Sequence, residues 1–152
     1  MATRFQGSPG ETRALDAYIK LMRAANSVAG RLEPHLKALG MTTRQFGVLE
    51  ALLHLGPLQQ HELGKKLLVS RANVTLIVDQ LVRRSLVRRE RERDDRRCIR
   101  VHLTPEGRRW IRKNFPLHAA RIADAFAGIS AGDQERLARL CRDLGLSLSG
   151  DD

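Results

Sequence analysis

Residues 62–81 read ELGKKLLVSRANVTLIVDQL, and the apolar spacing in this stretch decides the fold. Val74, Ile77, Val78 and Leu81 recur at i, i+3, i+4 and i+7, which is one face of a helix, and Ser70 stands where its N-cap belongs. Upstream, Leu63 and Leu67 supply the inward side of a shorter helix, predicted from about Leu58 to Leu67, with only Leu68 and Val69 between the two. Two short helices so tightly joined outline a helix-turn-helix. In that motif the first helix braces the second, and the second is slim enough to enter the major groove of DNA.

After Leu86 the period changes from helical to alternating. Ile99, Val101 and Leu103 share one face while Cys98, Arg100 and His102 share the other, and Val87 to Arg91 is the natural partner strand across the charged, turn-prone Glu92 to Asp95. The pair is a hairpin wing. Residues 83–100 hold nine arginines against four acids, half of the chain's net charge of +10, whereas residues 133–152 hold three arginines against five acids. Positive charge localised in this way on a folded chain points to a polyanion.

Working outward, Ser8-Pro9-Gly10-Glu11 is a capping box with proline at the first helical position, and it opens a helix closed by Gly40. Its apolar positions run through Leu15, Tyr18, Ile19, Met22, Ala25, Val28, Leu32, Leu36 and Leu39, and Pro34 is expected to bend or break it. Thr42 to Gln45 caps a second helix with Phe46, Leu49, Leu52 and Leu53 inward, stopped by Gly56-Pro57. Beyond the wing, Thr104-Pro105 starts a helix through Trp110, Ile111, Leu117, Ala120 and Phe126, with a kink expected at Pro116. Ser130 caps a last helix with face Leu137, Leu140, Cys141 and Leu144. The fold expected is mainly α with a small β-hairpin wing: a winged helix-turn-helix lobe at 41–104, dimerisation helices at 1–40 and 105–152, and one compact domain overall. A stripe as long as that of residues 15–39 exceeds what one small core needs, so a homodimer is expected.

The helix starting at Ser70 presents Ser70, Arg71, Asn73 and Thr75 in its first turn. Arginine can contact guanine O6 and N7, asparagine can pair with adenine, and serine or threonine can bind bases or phosphates. The alternative is that Ser70 and Asn73 serve only as caps and Arg71 is a solvated charge. Their place between a paired helix and an arginine-rich wing favours base-facing roles for the group.

The run Glu62-Leu63-Gly64-Lys65-Lys66-Leu67, Val69 to Thr75, Val78-Asp79-x-Leu81, Leu86-Val87-x-Arg89, Asp95-Arg96-Arg97, Val101-x-Leu103-Thr104 and Gly107 resembles the MarR family signature in order and spacing. The resemblance implies a dimeric regulator of a near-palindromic double-stranded DNA operator, commonly released by a small molecule, an oxidant or a metal. Carried over by position, it makes Arg97 the wing-tip arginine that enters the minor groove, Asp95 the group that orients it, and Arg96 a phosphate contact. Ser85 departs from the glycine usual before Leu-Val, and a turn needing positive φ would be strained there.

Other classes have little support. There is no GxGxxG, phosphate loop or GxSxG, and His61-Glu62 begins a zinc-protease motif that Lys65 ends, so an enzyme, a cofactor and a metal are not expected. No run of about 18 apolar residues suggests a membrane partner, and the start of the chain has no apolar signal segment, so a cytoplasmic protein with reduced Cys98 and Cys141 is expected. The five histidines are scattered and read as surface or packed residues. Cys98, beside Arg97 and Arg100, is a conceivable redox site. A small aromatic or phenolic effector would sit between the dimerisation helices and the DNA-binding lobe, against His35, Phe46, His54, Trp110 and Phe115, although all five could equally pack. The competing class is a non-specific architectural DNA- or RNA-binding protein, for which the basic hairpin alone would suffice.

Overall fold

The computed structural model describes residues 5–67, 69–93 and 97–148. Helix α1 (Pro9–Ala38) begins at the expected capping box: Ser8 Oγ accepts from Glu11 N at 3.3 Å, and Glu11 Oε2 accepts from Ser8 N at 2.8 Å. It runs on through Pro34, and α5 (Pro105–Phe126) likewise runs on through Pro116. Both prolines lie on exposed faces, as do Gly30 and Arg112 four residues before them, so the carbonyls they leave unbonded can be solvated and neither helix is broken.

Helix α2 (Thr43–Leu55) packs Phe46, Leu49 and Leu52 inward and stops at Gly56, which takes φ 78°. The chain then forms a two-residue strand, β1 (Leu58–Gln59), where the sequence had suggested the start of a helix. Leu58 pairs with Val101 and Gln59 with Arg100, so β1 covers the free edge of the wing. Two residues are too few to alternate visibly, which is why the strand was not legible. Helix α3 (Gln60–Leu67) starts only after it, with the Glu62 carboxylate accepting from Gln59 N at 2.8 Å. Helix α4 (Arg71–Arg83) follows, and strands β2 (Val87–Arg91) and β3 (Ile99–Leu103) pair antiparallel with Val87 opposite Leu103 and Arg91 opposite Ile99. The sheet order is β1-β3-β2.

The core joins Leu36 of α1, Phe46, Val48, Leu49 and Leu52 of α2, Leu63 of α3, the four inward residues of α4, Val87 and Val101 of the sheet, and Ile111 of α5. In α5 the inward line continues from Ile111 to His118, while Leu117 and Ala120, expected inward, are exposed. Helix α6 (Ala131–Leu148) buries no residue in the isolated chain, and its stripe of Leu137, Leu140, Cys141 and Leu144 faces solvent.

Two small residues set the angle of the wing. Ser85 is the one non-glycine residue with positive φ among those described (59°), and Leu86 N closes a bond to Leu81 O at 3.0 Å, the left-handed stop that a helix end favours for glycine. Gly107 lies against that turn so closely that a Cβ would fall 1.9 Å from Leu86 O. Thr104 links the two, donating its hydroxyl to Ser85 O at 2.6 Å and accepting from Gly107 N at 2.9 Å.

Candidate nucleic-acid interface

The exposed first turn of α4 is held from behind by Val74, which is fully buried. Ser70 caps the helix, its Oγ accepting from Asn73 N at 3.3 Å. The Thr75 hydroxyl donates to Arg71 O at 3.0 Å and accepts from Gln60 Nε2 at 2.9 Å, so it is engaged with the protein on both sides. Arg71 and Asn73 are exposed. Both readings of this turn therefore apply to different residues: Ser70 is a cap, while Arg71 and Asn73 extend from the helix surface.

Between α3, α4 and the wing lies an open groove of about 680 Å³. Lys65, Arg71 and Arg97 give it positive charge, with Val69, Val74 and Ile99 on its apolar walls and the half-buried Cys98 at the wing side. The fold thus brings Arg71 and Arg97 to one groove from separate elements. Asp95 and Arg96 lie outside the described residues, and so does the expected pairing of Asp95 with Arg97.

Sequence reasoning did not find the residues that fix this geometry. Arg89 of β2 forms an ion pair with Asp79 of α4, and it also donates to Gln60 Oε1 at 3.0 Å and to Thr75 O at 3.2 Å. Arg100 donates to the Glu92 carboxylate at 2.6 and 2.9 Å and to Pro57 O at 3.2 Å, with Gln59 Nε2 on the same carboxylate oxygen at 3.0 Å. Arg84 donates to Gly40 O at 2.6 Å, tying the end of α4 to the turn after α1. Arg88 pairs with Glu90 at 2.8 Å, and its hydrogen bond and charge, aided by His102, hold that carboxyl below its usual range. Three of the nine arginines counted as a single positive reserve, Arg84, Arg89 and Arg100, therefore also brace the lobe, while the exposed Arg88–Glu90 pair stays within β2. The signal available in the sequence was weak: an acid ten residues before an arginine has no fixed geometric meaning until the turn between them is known.

The five residues expected around an effector form part of an aromatic seam among α1, α2 and α5. Phe46 meets Trp110 edge-on at 6.1 Å, and His54 meets Phe115 at 4.8 Å. His118 was not singled out, yet it joins them: its ring stacks on His35 at 5.9 Å and lies 4.3 Å from Phe46. His35 Nε2 and His118 Nδ1 are buried with no hydrogen-bond partner. Burial holds both imidazoles below their ordinary pKa, and Arg121 acts the same way on His35 and His35 on His118. Among the described residues no three metal-ligating side chains converge and no helix is long and apolar enough to cross a membrane.

A buried helix pair, an exposed first turn on its second helix and a basic wing forming one groove with it define a winged helix-turn-helix DNA-binding protein. The MarR family profile matches residues 41–99. The chain is 36% identical over 134 residues to the HTH-type transcriptional regulator YkoM of Bacillus subtilis, covering 88% of this chain and 87% of that protein. The chain belongs to the MarR family of transcriptional regulators, and its relatives are regulators and not enzymes. In fold it is similar to Sco3205, a MarR family regulator from Streptomyces coelicolor solved in complex with DNA (TM-score 0.84, 24% identity, 98% of this chain and 93% of that one). It is also similar in fold to Bordetella bronchiseptica BpsR, whose DNA binding is regulated by 6-hydroxynicotinic acid (TM-score 0.76, 24% identity, 84% of this chain and 97% of that one).

Proposed function

We propose that the chain is a homodimeric repressor whose hold on a near-palindromic operator is released by a small aromatic or phenolic effector. The observation that carries the dimer is the unpartnered apolar surface at both ends: Tyr18 is 60% exposed on α1 and Leu140 61% exposed on α6, with Met22, Leu137, Leu144 and Leu146 exposed along the same two helices. Exposed large apolar residues gathered along two helices in this way mark an interface. On this reading α1, α5 and α6 join two lobes, and each lobe offers Arg71, Asn73 and the cap of Ser70 to the major groove, with Arg97 at the wing and Arg96 beside it on the backbone. Thr75 acts by holding the turn.

The effector reading is supported by the aromatic seam, which joins the dimerisation helices to the lobe, and by the fold shared with BpsR. A ligand that parts His35, Phe46, Trp110 and His118 changes the angle between lobes, and two half-sites a helical turn apart can no longer be met together. The protein works in the cytoplasm, where the DNA is.

Sedimentation at micromolar concentration is expected to give about twice the chain mass of 17.1 kDa. Genomic fragments retained by the protein are expected to contain a two-fold symmetric site and to be released by a subset of hydroxylated aromatic acids. A folded monomer, or retention of fragments without a shared site, overturns the reading and favours non-specific architectural binding.

A further inference from the structure

The outermost line of the recognition helix is apolar over its first two turns and charged beyond them, at Asp79 and Arg83. Val74, Ile77, Val78 and Leu81 fix the direction of the core, and at 3.6 residues per turn Ala72 and Leu76 fall within about 30° of the opposite direction. Arg71, Asn73 and Thr75 are placed farther round the helix, on its flanks. Leu76 is 52% exposed, and Ala72, one turn before it, is exposed too. Farther along the same line Asp79 is occupied by Arg89. An exposed leucine is ordinary on a protein surface. This one stands on the outward face of α4, one residue after Thr75 on the rim of the groove in which Lys65, Arg71 and Arg97 collect.

We propose that Leu76, with Ala72 beside it, is a specificity-determining residue that selects thymine by contact with its C5-methyl group in the major groove. The inference rests on the reading that α4 enters that groove. A leucine can neither donate to nor accept from a base edge, so against guanine O6 or N7, adenine N6 or cytosine N4 it would strip water from a polar group without replacing it. The thymine methyl is the one apolar feature of the major-groove code, and alanine and threonine methyls suit the same contact. The Thr75 hydroxyl, engaged by Arg71 O and Gln60, leaves its methyl as what it can add. The expected preference is therefore for thymine at one or two adjacent positions per half-site, inside the bases that Arg71 and Asn73 contact.

The test uses the full chain and the duplex most enriched by it from a random-sequence library. Each thymine is replaced in turn by deoxyuridine, which keeps every hydrogen-bonding group and removes only the methyl. Burial of one methyl corresponds to about fourfold in affinity, so wild type is expected to lose about fourfold at one or two thymines per half-site. Leu76→Ala, whose side chain stops at Cβ and does not reach as far as the leucine methyls, is expected to bind the thymine duplex correspondingly more weakly and to lose the wild-type sensitivity to uracil at the thymine that Leu76 contacts. Its exposed site and helix-favouring replacement should leave the fold intact, which its circular dichroism melt checks. Leu76→Gln, put through the same selection, is expected to change the preferred base there and nowhere else, because glutamine can pair with adenine. The proposal is overturned if no uracil weakens wild type, or if Leu76→Ala keeps the wild-type sensitivity to uracil. A wild-type protein that enriches no sequence at all overturns the sequence-specific reading itself, a result distinct from the other two.

Discussion

Arg89 on the wing and Asp79 on the recognition helix form an ion pair that fixes one element against the other, and the same guanidinium reaches Gln60 of α3 and the Thr75 carbonyl. One side chain thus ties together α3, α4 and the wing, the three elements around the basic groove. The Arg89 side chain is only 26% exposed and Asp79 45%, so solvent screens the pair in part.

Asp79→Asn removes a negative charge from the helix proposed to enter the major groove, and charge counting alone makes it bind tighter. The positioning role gives the opposite sign. Operator affinity is expected to fall about five- to tenfold, with about 1 kcal/mol lost in denaturant-measured stability. Tighter operator binding by a folded Asp79→Asn protein would show that the pair does not position the helix.

Ser85 occupies a left-handed backbone conformation that costs an L-residue about 1–2 kcal/mol and glycine almost nothing. Ser85→Gly is therefore expected to raise unfolding free energy by about 1 kcal/mol without changing DNA affinity. An unchanged or lowered melting temperature counts against strain at this turn.

Gly107 has no such freedom to change. A Cβ placed 1.9 Å from Leu86 O must push apart the start of α5 and the root of the wing. Gly107→Ala is expected to cost about 2–3 kcal/mol, as overpacking at a rigid contact does, and to weaken operator binding through the displaced wing. Wild-type stability in this variant would mean that the contact yields easily.

His35 and His118 are held below their ordinary value of 6.5, chiefly by burial, and burial with Arg88 and Arg100 lowers His102 against the pull of Glu90. The unfolded chain therefore takes up protons near pH 6.5 that the folded chain refuses. Stability from these groups is complete above that pH and is lost as pH falls through the lower folded values. Melting temperature is expected to drop between pH 7.5 and 5.5, and the combined His35→Leu and His118→Phe variant to flatten the drop. Glu11 and Glu90, both lowered, add their own loss only below about pH 4.5. A melting temperature that is constant or rises on acidification to pH 5.5 contradicts the burial of neutral imidazoles.

The helices and the wing were legible because their signals are local. Ser8 with Glu11, Thr42 with Gln45 and the alternation from Ile99 to Leu103 each need only neighbours to take effect. Strand β1 was not legible, because Leu58 and Gln59 are extended only through the edge of β3 that they cover. The ties made by Arg84, Arg89 and Arg100 depend on a three-dimensional approach that spacing does not encode, so the sequence showed a count of charges where the structure shows a frame. His118 looked like one more scattered histidine, yet its place one heptad after Ile111 puts it inward against His35. In α5 and α6 the apolar period was read correctly as helix, but Leu117, Leu140 and Leu144 face away from this chain's own core.

On the proposed reading the first turn of α4 reads bases while the arginine-rich segment 83–100 supplies most of the general attraction. It is tested most directly by measuring Arg71→Ala and Asn73→Ala against both the selected operator and random duplex at one fixed salt concentration. Each variant is expected to lose about 1–3 kcal/mol on the operator and much less on random DNA. Equal losses on the two DNAs would contradict base reading by this helix and leave only electrostatic attachment.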